Sequence, residues 1–599
     1  MNVASFLPIT LDEVRRLGWQ EVDIVLVSGD AYVDHPSFGT AVIGRTLEAA
    51  GYKVAIIPQP NWRDDLRDFR KFGRPRLFFG VTSGCMDSMV NHYTAARRLR
   101  HDDAYTPGGE AGFRPDYATY VYTRILKQLY PDVPVVIGGI EASMRRLAHY
   151  DYWSDSLKPS ILIDTHADLL VYGMGERVIV QIADALSWGE RIESLHRFPQ
   201  TAFVESGHPD VERSQPSPDS IILHSFEDCQ KSKRKEAENF HHIEVESNKI
   251  EAATLVQPHG DRMVVVNPPA PPFSEEELDR SFDLPYTRLP HPNYRQRGPI
   301  SAYEMIKFSV NSHRGCFGGC AFCTISAHQG KQIVSRSERS IMAEVDKIAQ
   351  MPDFHGTLSD LGGPSANMYR MGGKNKEQCR KCARYSCIQP NHCPNLDSDH
   401  THLVELYRKV CAHPSVKHLF VGSGIRYDLF TEQNGGFDYF REVVQHHVSG
   451  RLKVAPEHTS PAVLKVMRKP PFEMFLRTKQ QFDDICRRSG LRYQLIPYFI
   501  SSHPGCRLGD MADLAVQMKQ LGYRLEQVQD FTPTPMTLAT EMYYTGINPE
   551  TMEPIYVATN PNDKKEQNLL FFYYKKELQA DIRRILLKSH NGAYLGKLV

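Results

Sequence analysis

The chain has 599 residues, 41% of them hydrophobic and 24% charged, with 71 Lys and Arg against 71 Asp and Glu. That length is too great for one hydrophobic core and predicts three or four compact units, while the balanced charge offers no global attraction to nucleic acid or to an anionic membrane. The N-terminus lacks a basic start leading into a long apolar core, and no run approaches the roughly 20 apolar residues that span a bilayer, so a cytoplasmic protein without a membrane partner is expected.

Apolar runs at 22–28, 53–57, 76–80, 134–138 and 168–172 alternate with helical patterns at 39–50, 117–129 and 176–187. This predicts an open parallel sheet covered on both faces, a flavodoxin-like or Rossmann-like α/β domain over residues 1–197. Such sheets bind ligands at the carboxyl ends of their strands, here near Asp30, His35, Gly138, Gly139, Glu141 and Gly173 to Glu176. Arg145, Arg146, His149, Tyr150, Asp151, Tyr152 and Trp153 crowd together and would either line a polar pocket between domains or form a satisfied domain interface.

Residues 198–300 lose periodicity and gain turn residues (SGHPD, SQPSPDS, NPPAPPFS), so a linker bridging two domains is expected. Within it KIEAATLVQPHGDRMVVV reads as a β-hairpin turning near His259, Gly260 and Asp261. QKSKRKEAENF mixes both charge signs at helical spacing and predicts a solvated helix.

The stretch Asn311 to Arg336, NSHRGCFGGCAFCTISAHQGKQIVSR, places Cys316, Cys320 and Cys323 in a C-x3-C-x2-C run with glycines at 315, 318 and 319. Three soft thiolates in one loop select zinc, copper(I) or an iron–sulfur cluster over magnesium or calcium. A structural zinc site wants four ligands in a closed set, and the local count is three.

From residue 301 to 535, strand-like runs at 306–311, 357–360, 418–422, 452–455, 493–500 and 526–531 alternate with helices at 337–350, 400–411, 436–447, 461–488 and 509–521. Six βα units ending in polar loops predict a partial TIM-type barrel with its chemistry at the strand carboxyl ends. Those loops carry Asp360 to Pro364, Gly422 to Asp428, Ala455 to His458 and Ser502 to Gly505. Glu457, His458 and His503 either touch a ligand or serve as hydrogen-bonded structural groups.

An insertion at 371–397 holds Cys379, Cys382, Cys387 and Cys393, enough to close on a zinc ion or a four-iron cluster. With these, seven of the 12 cysteines fall between 316 and 393, which argues for metal chemistry rather than a disulfide framework. The last segment, 536–599, predicts an extension with a helix from about 564 to 587 whose Leu569, Tyr573, Leu578, Ile582 and Ile585 dock on the barrel.

The C-x3-C-x-aromatic-C run, with Phe322 before its last cysteine, resembles the signature of radical S-adenosylmethionine (SAM) enzymes. The wider HRGCFGGCAFC, HQG and SRS blocks, together with 30–54, 138–155, 171–177, 257–294 and the C-terminal segment, resemble the YgiQ family of radical SAM proteins. The resemblance implies a six-unit barrel and a [4Fe-4S] cluster on Cys316, Cys320 and Cys323 with one iron open for SAM. It further implies that Gly362 and Gly363 contact the SAM amino group, and that an electron donor such as flavodoxin or ferredoxin reduces the cluster. The family assigns no substrate.

Two further chemistries stay open. The second cysteine set and the Ser502–Gly505 turn are similar to features of methylthiotransferases, and the N-terminal layout is similar to cobalamin-binding domains of radical SAM methyltransferases. Their Asp-x-His-x-x-Gly pattern fails here, with Val33 two places before His35 and Gly one place late at 39. From another class, a zinc-bearing nucleic-acid-binding module would use the same cysteines without radical chemistry.

Overall fold

In the computed structural model, which describes residues 6–207, 219–526 and 528–598, the five apolar runs of the first third become parallel strands. They are β1 (Ile24–Ser28), β2 (Val54–Pro58), β3 (Phe78–Thr82), β4 (Val135–Gly138) and β5 (Leu169–Val171). Their residues are apolar and nearly all buried, as a strand covered on both faces requires. The helices α1 (Gly39–Ala49), α2 (Ala118–Leu129) and α3 (Glu176–Ser187) form where the spacing predicts them.

The middle segment departs from a simple linker. β6 (Thr201–Ser206), β7 (Ile221–Ile222), β8 (Leu255–His259) and β9 (Arg262–Val266) extend the same sheet. Among the described residues it has nine strands in the order β7-β8-β9-β6-β5-β4-β3-β1-β2. The hairpin is the predicted one, with Gly260 at φ +61° in its two-residue turn. Its buried strands need a partner, and β6, antiparallel to both β5 and β9, supplies the join. Most of SGHPD and SQPSPDS falls on residues 208–218, outside the described residues. Further on, Thr287 N–H donates to Asp34 (2.8 Å) while Arg288 pairs with buried Glu344, so this segment ties the sheet to the second half of the chain.

The QKSKRKEAENF stretch ends one helix (Phe226–Lys231) and opens α4 (Lys233–Ser247); Lys233 and Arg234 are solvated, but the other face is buried. Glu236, Asn239, Phe240, Ile243 and Glu246 recur every three or four residues and make a buried face. That face packs on α10 (Leu538–Thr545) near the chain's end. Glu236 and Glu541 meet there, fully buried, each with one carboxylate oxygen lacking a hydrogen-bond partner.

Burial pushes the Glu236 carboxyl up to about 7, and burial with the Glu236 charge pushes Glu541 well above the usual carboxylate range. Both folded values lie above the unfolded ones, so the stability they contribute is full below the ordinary carboxylate pKa and is lost as pH rises through about 7. Raising one carboxyl from 4.5 to about 7 is on the order of 3 kcal/mol. Glu236→Gln is therefore expected to gain stability of that order in urea unfolding at pH 8 and under 1 kcal/mol, roughly, at pH 5. An equal gain at both pH values would show that ionisation is not the cause.

Beyond residue 300, β10 (Ser309–Asn311), β11 (Thr357–Leu358), β12 (Asp360–Gly362), β13 (His418–Leu419), β14 (Arg451–Glu457), β15 (Gln494–Ser501) and β16 (Val528–Asp530) make only parallel pairs. β10 pairs with β12, β11 with β13, and β14, β15 and β16 lie side by side. Between them run α5 (Glu338–Ala349), α6 (Thr401–Cys411), α7 (Gly436–His446), α8 (Phe472–Ser489) and α9 (Leu508–Gln520), each with one buried stripe. The expected helix at 564–587 is instead two helices, Pro561–Leu569 and Gln579–Lys588. The intervening LFFYY run buries Leu570, Phe571 and Tyr573, and a straight helix would carry some of these rings into solvent.

Candidate functional site

The cysteine loop leaves the carboxyl end of β10. A side chain at Gly315 (φ +87°) would place its Cβ 2.1 Å from the Gln332 carbonyl oxygen, and one at Gly319 (φ +64°) would place it 2.4 Å from that of Tyr385. These two positions therefore require glycine. A Cβ at Gly318 would lie 3.4 Å from the Cys316 sulfur and 2.7 Å from Arg426 Nη1, so that glycine brings the backbone against the thiols. Ala321 N–H donates to Met467 O (3.1 Å), and Ala321 O accepts from Ala539 N–H (2.9 Å), which holds the loop from two sides.

Cys316 is buried, and Cys320 and Cys323 are half-buried. Burial, with the charges of Cys320 and Cys316 adding, pushes the Cys323 thiol up to about 12. Three thiols this close cannot ionise together without a cation to offset them. One is present: Arg426 Nη1 lies 3.2 Å from the Cys320 sulfur, while its Nε and Nη2 donate to Asp428 at 2.9 and 2.6 Å. Asn367 holds the Arg426 backbone, accepting from its N–H (2.8 Å) and donating to its carbonyl (3.0 Å).

Gly362 and Gly363 sit beside the loop. Gly362 ends the β10–β12 pairing, its carbonyl accepting from Ser312 N–H at 2.6 Å. A Cβ on Gly363 would meet the ring of His313 at 2.5 Å. His313 is buried and its pKa is lowered to about 4 by burial, so its ring is neutral at pH 7. Its Nδ1 meets Ser312 Oγ at 2.9 Å, and its Nε2 has no partner.

His313, Gly363 and Ile325 on one side, and Gly84, Gly138 and Gly173 at the carboxyl ends of β3 to β5 on the other, enclose a cavity of about 510 Å³. The sheet-end binding position expected from topology therefore opens onto the cysteine loop. An ion pair between Arg314 and buried Glu176, at the start of α3, bridges the two sides. His35 is not in this wall. It is buried with its Nδ1 accepting from Ser37 N–H (3.1 Å), and its ring packs edge-on against Phe38 and Tyr303.

Other expected residues divide. Glu457, buried, faces Lys469 at 3.7 Å, and its charge reaches the Cys323 thiol. His503 packs edge-on against Phe322 at 5.9 Å. His458 is held locally: its Nδ1 accepts from the backbone N–H of Thr459 and Ser460 at 2.9 and 3.0 Å. In the cluster from Arg145 to Trp153, Arg145 pairs with Asp87 and Tyr150 stacks on Tyr544 at 4.7 Å as in an interface, while Arg146 lines a cavity.

The insertion packs Cys387 and Cys393 against the small apolar core that holds Cys316 and Phe317. Burial pushes the Cys387 thiol up to about 11, with Cys393, Cys382 and Cys379 adding their charges and Lys331 opposing them. Among the described residues, no three His, Cys, Asp or Glu side chains are gathered as tightly as ligands of a single ion.

Residues 6–309 match the model of the Radical SAM N-terminal family, and residues 526–588 match that of a domain of unknown function. A UPF0313 protein of Bacteroides thetaiotaomicron is 58% identical over 100% of this chain and 98% of its own length. The chain belongs to the UPF0313 family of radical SAM proteins. A second UPF0313 protein, from Porphyromonas gingivalis, is 56% identical, covering 100% of this chain and 94% of its own. Among solved structures, the radical S-adenosylmethionine methyltransferase TsrM of Kitasatospora setae aligns with TM-score 0.48 at 14% identity, covering 93% of this chain and 89% of that one. The cobalamin-dependent S-adenosylmethionine radical enzyme OxsB aligns at 0.46 and 10% identity, covering 89% and 56%.

For this UPF0313 chain, sequence reasoning left Arg426, Asn367 and Lys331 without roles. Arg426 lies within the Gly422 to Asp428 loop, but a cation 106 residues from Cys320 has no local signal that aims it at that sulfur. No described helix is long and apolar enough to cross a membrane.

Proposed function

We propose that this protein is a radical SAM enzyme, with a [4Fe-4S] cluster on Cys316, Cys320 and Cys323 and SAM on the open iron. The observation that carries the reading is the Arg426 guanidinium on the Cys320 sulfur within a three-thiol, glycine-lined loop. The donor set fits: soft thiolates, a backbone that no Cβ obstructs, and a buried cation to offset negative charge. When bound, the cluster would supply the one electron needed for reductive cleavage of SAM to methionine and a 5′-deoxyadenosyl radical.

The chain's own residues then have distinct tasks. Arg426, held by Asp428, keeps positive charge at the sulfur whatever the pH, since a guanidinium does not deprotonate. Gly362 and Gly363 take the SAM amino group in this reading, and neutral His313 beside Gly363 adds no charge there. The cavity between the sheet ends and the loop holds the substrate. The six βα units are taken as the partial barrel that positions these parts.

The protein is tested by anaerobic reconstitution with iron and sulfide, followed by SAM and a strong reductant. 5′-Deoxyadenosine and methionine are expected in equal amounts. Protein that holds zinc but takes up neither iron nor sulfide would overturn the reading in favour of a zinc module.

A further inference from the structure

The insertion's cysteines are not a remote decoration. Phe317, next to Cys316, offers its carbonyl to two groups of the insertion: Cys387 N–H at 3.1 Å and Ser386 Oγ–H at 2.9 Å. Cys316, Phe317, Met368, Met371, Ile388, Leu396 and Leu429 form one small apolar core, against which Cys387 and Cys393 pack. The Tyr385 carbonyl fills the space that a side chain at Gly319 would need. Two cysteine sets that merely share a chain would not share a core and a hydrogen-bonded carbonyl.

Two of the four thiols also have donors beside their sulfurs. Lys331 is buried and sends its ammonium into the insertion, donating to the carbonyls of Arg384 (2.6 Å) and Cys382 (3.3 Å), with the Cys382 sulfur 3.9 Å away. Asn395 Nδ2 donates to the Cys379 sulfur at 3.4 Å, and a Cβ at Gly373 would stand 2.3 Å from that sulfur. Lys331 belongs to the segment whose Gly330 carbonyl accepts from Cys316 N–H (3.2 Å), so one short stretch serves both sets.

We infer that Cys379, Cys382, Cys387 and Cys393 hold a second, fully ligated iron–sulfur cluster that passes electrons to the first through the Cys387–Phe317–Cys316 contact. With four thiolates it leaves no iron open for SAM, so its chemistry is electron transfer alone. One electron enters from a reduced low-potential flavin or iron–sulfur protein, which is oxidised, and leaves to the SAM-site cluster, which is reduced; no bond is made or broken. The four cysteines are only half-buried, and the same insertion exposes Lys374, Lys376 and Lys381 with one exposed acid, Glu377, between them, a basic excess that suits an acidic donor. The relay rests on the proposed SAM-site cluster; the metal site does not.

The test uses the full chain. The Cys316→Ala, Cys320→Ala, Cys323→Ala triple variant, reconstituted anaerobically, is expected to keep about four irons and four sulfides with an EPR signal on reduction. Cys382→Ala with Cys387→Ala is expected to keep the other four and to respond spectroscopically to SAM. Its reduction by a reduced flavodoxin should slow by at least tenfold while reduction by dithionite is spared. Zinc, or no metal, in the triple variant overturns the second cluster, and unchanged flavodoxin kinetics in the double variant overturn the relay. A triple variant that keeps iron while wild type binds no SAM would instead defeat the proposed function and leave the second site standing.

Discussion

Replacing any one of Cys316, Cys320 or Cys323 with alanine is expected to reduce 5′-deoxyadenosine formation to background, a loss of at least two orders of magnitude. The physical reason is the ligand count. With three thiolates, a cuboidal cluster has one iron left for SAM; with two it has a second bare iron and no reason to stay intact. Loss of a hydrogen bond to a metal ligand already costs about 10–100-fold in metal affinity, so loss of the ligand itself costs more. The measurement is product formation under a strong reductant, with iron and sulfide counted on the same samples. Full turnover in any single variant would remove these residues from the site. Cys411, exposed on α6, is the control: Cys411→Ala should leave both product and iron unchanged.

Arg426→Met is expected to destabilise the cluster-free protein by about 3–5 kcal/mol, because Asp428 is left buried without its cation. Asp428 is 4% exposed and takes two guanidinium hydrogen bonds, so little water can reach it to compensate. Adding Asp428→Leu should recover most of that loss by removing the stranded charge. It should not recover the cluster's reduction potential. A cation 3.2 Å from the Cys320 sulfur favours the reduced, more negative cluster. The double variant is therefore expected to fold well and be harder to reduce, which redox titration followed by EPR would read directly. Equal potentials in wild type and double variant would make Arg426 a structural residue only.

The strands of the first sheet were legible because a strand covered on both faces must be apolar along its whole length. Val25, Val27, Phe78 and Phe79 announce themselves without any tertiary knowledge. The hairpin at 255–266 was legible from its turn, but not its place at the sheet's edge, since nothing local says which neighbour β9 joins. Charge misled at α4: a Glu reads as solvated, and only the arrival of Glu541 from 305 residues away buries Glu236. At the site, the three-cysteine loop and its glycines were plain in the sequence, because chemistry and turn geometry are written in adjacent letters. The cation on Cys320, the lysine beneath the second cysteine set and the carbonyl the two loops share are products of the fold, brought together from distant segments.

The backbone bond from Ala539 to Ala321 and the stack of Tyr544 on Tyr150 set an order of events. A ribosome delivers the N-terminal sheet first, then the cysteine loops, and only at the end the segment that seals them. No contact made by residue 539 or 544 can exist before that segment has emerged. The first cysteine loop is thus complete and unsealed during synthesis, and the segment from residue 538 closes behind whatever has been delivered into it. A chain stopped short of residue 538 would hold every thiol and lack its closure.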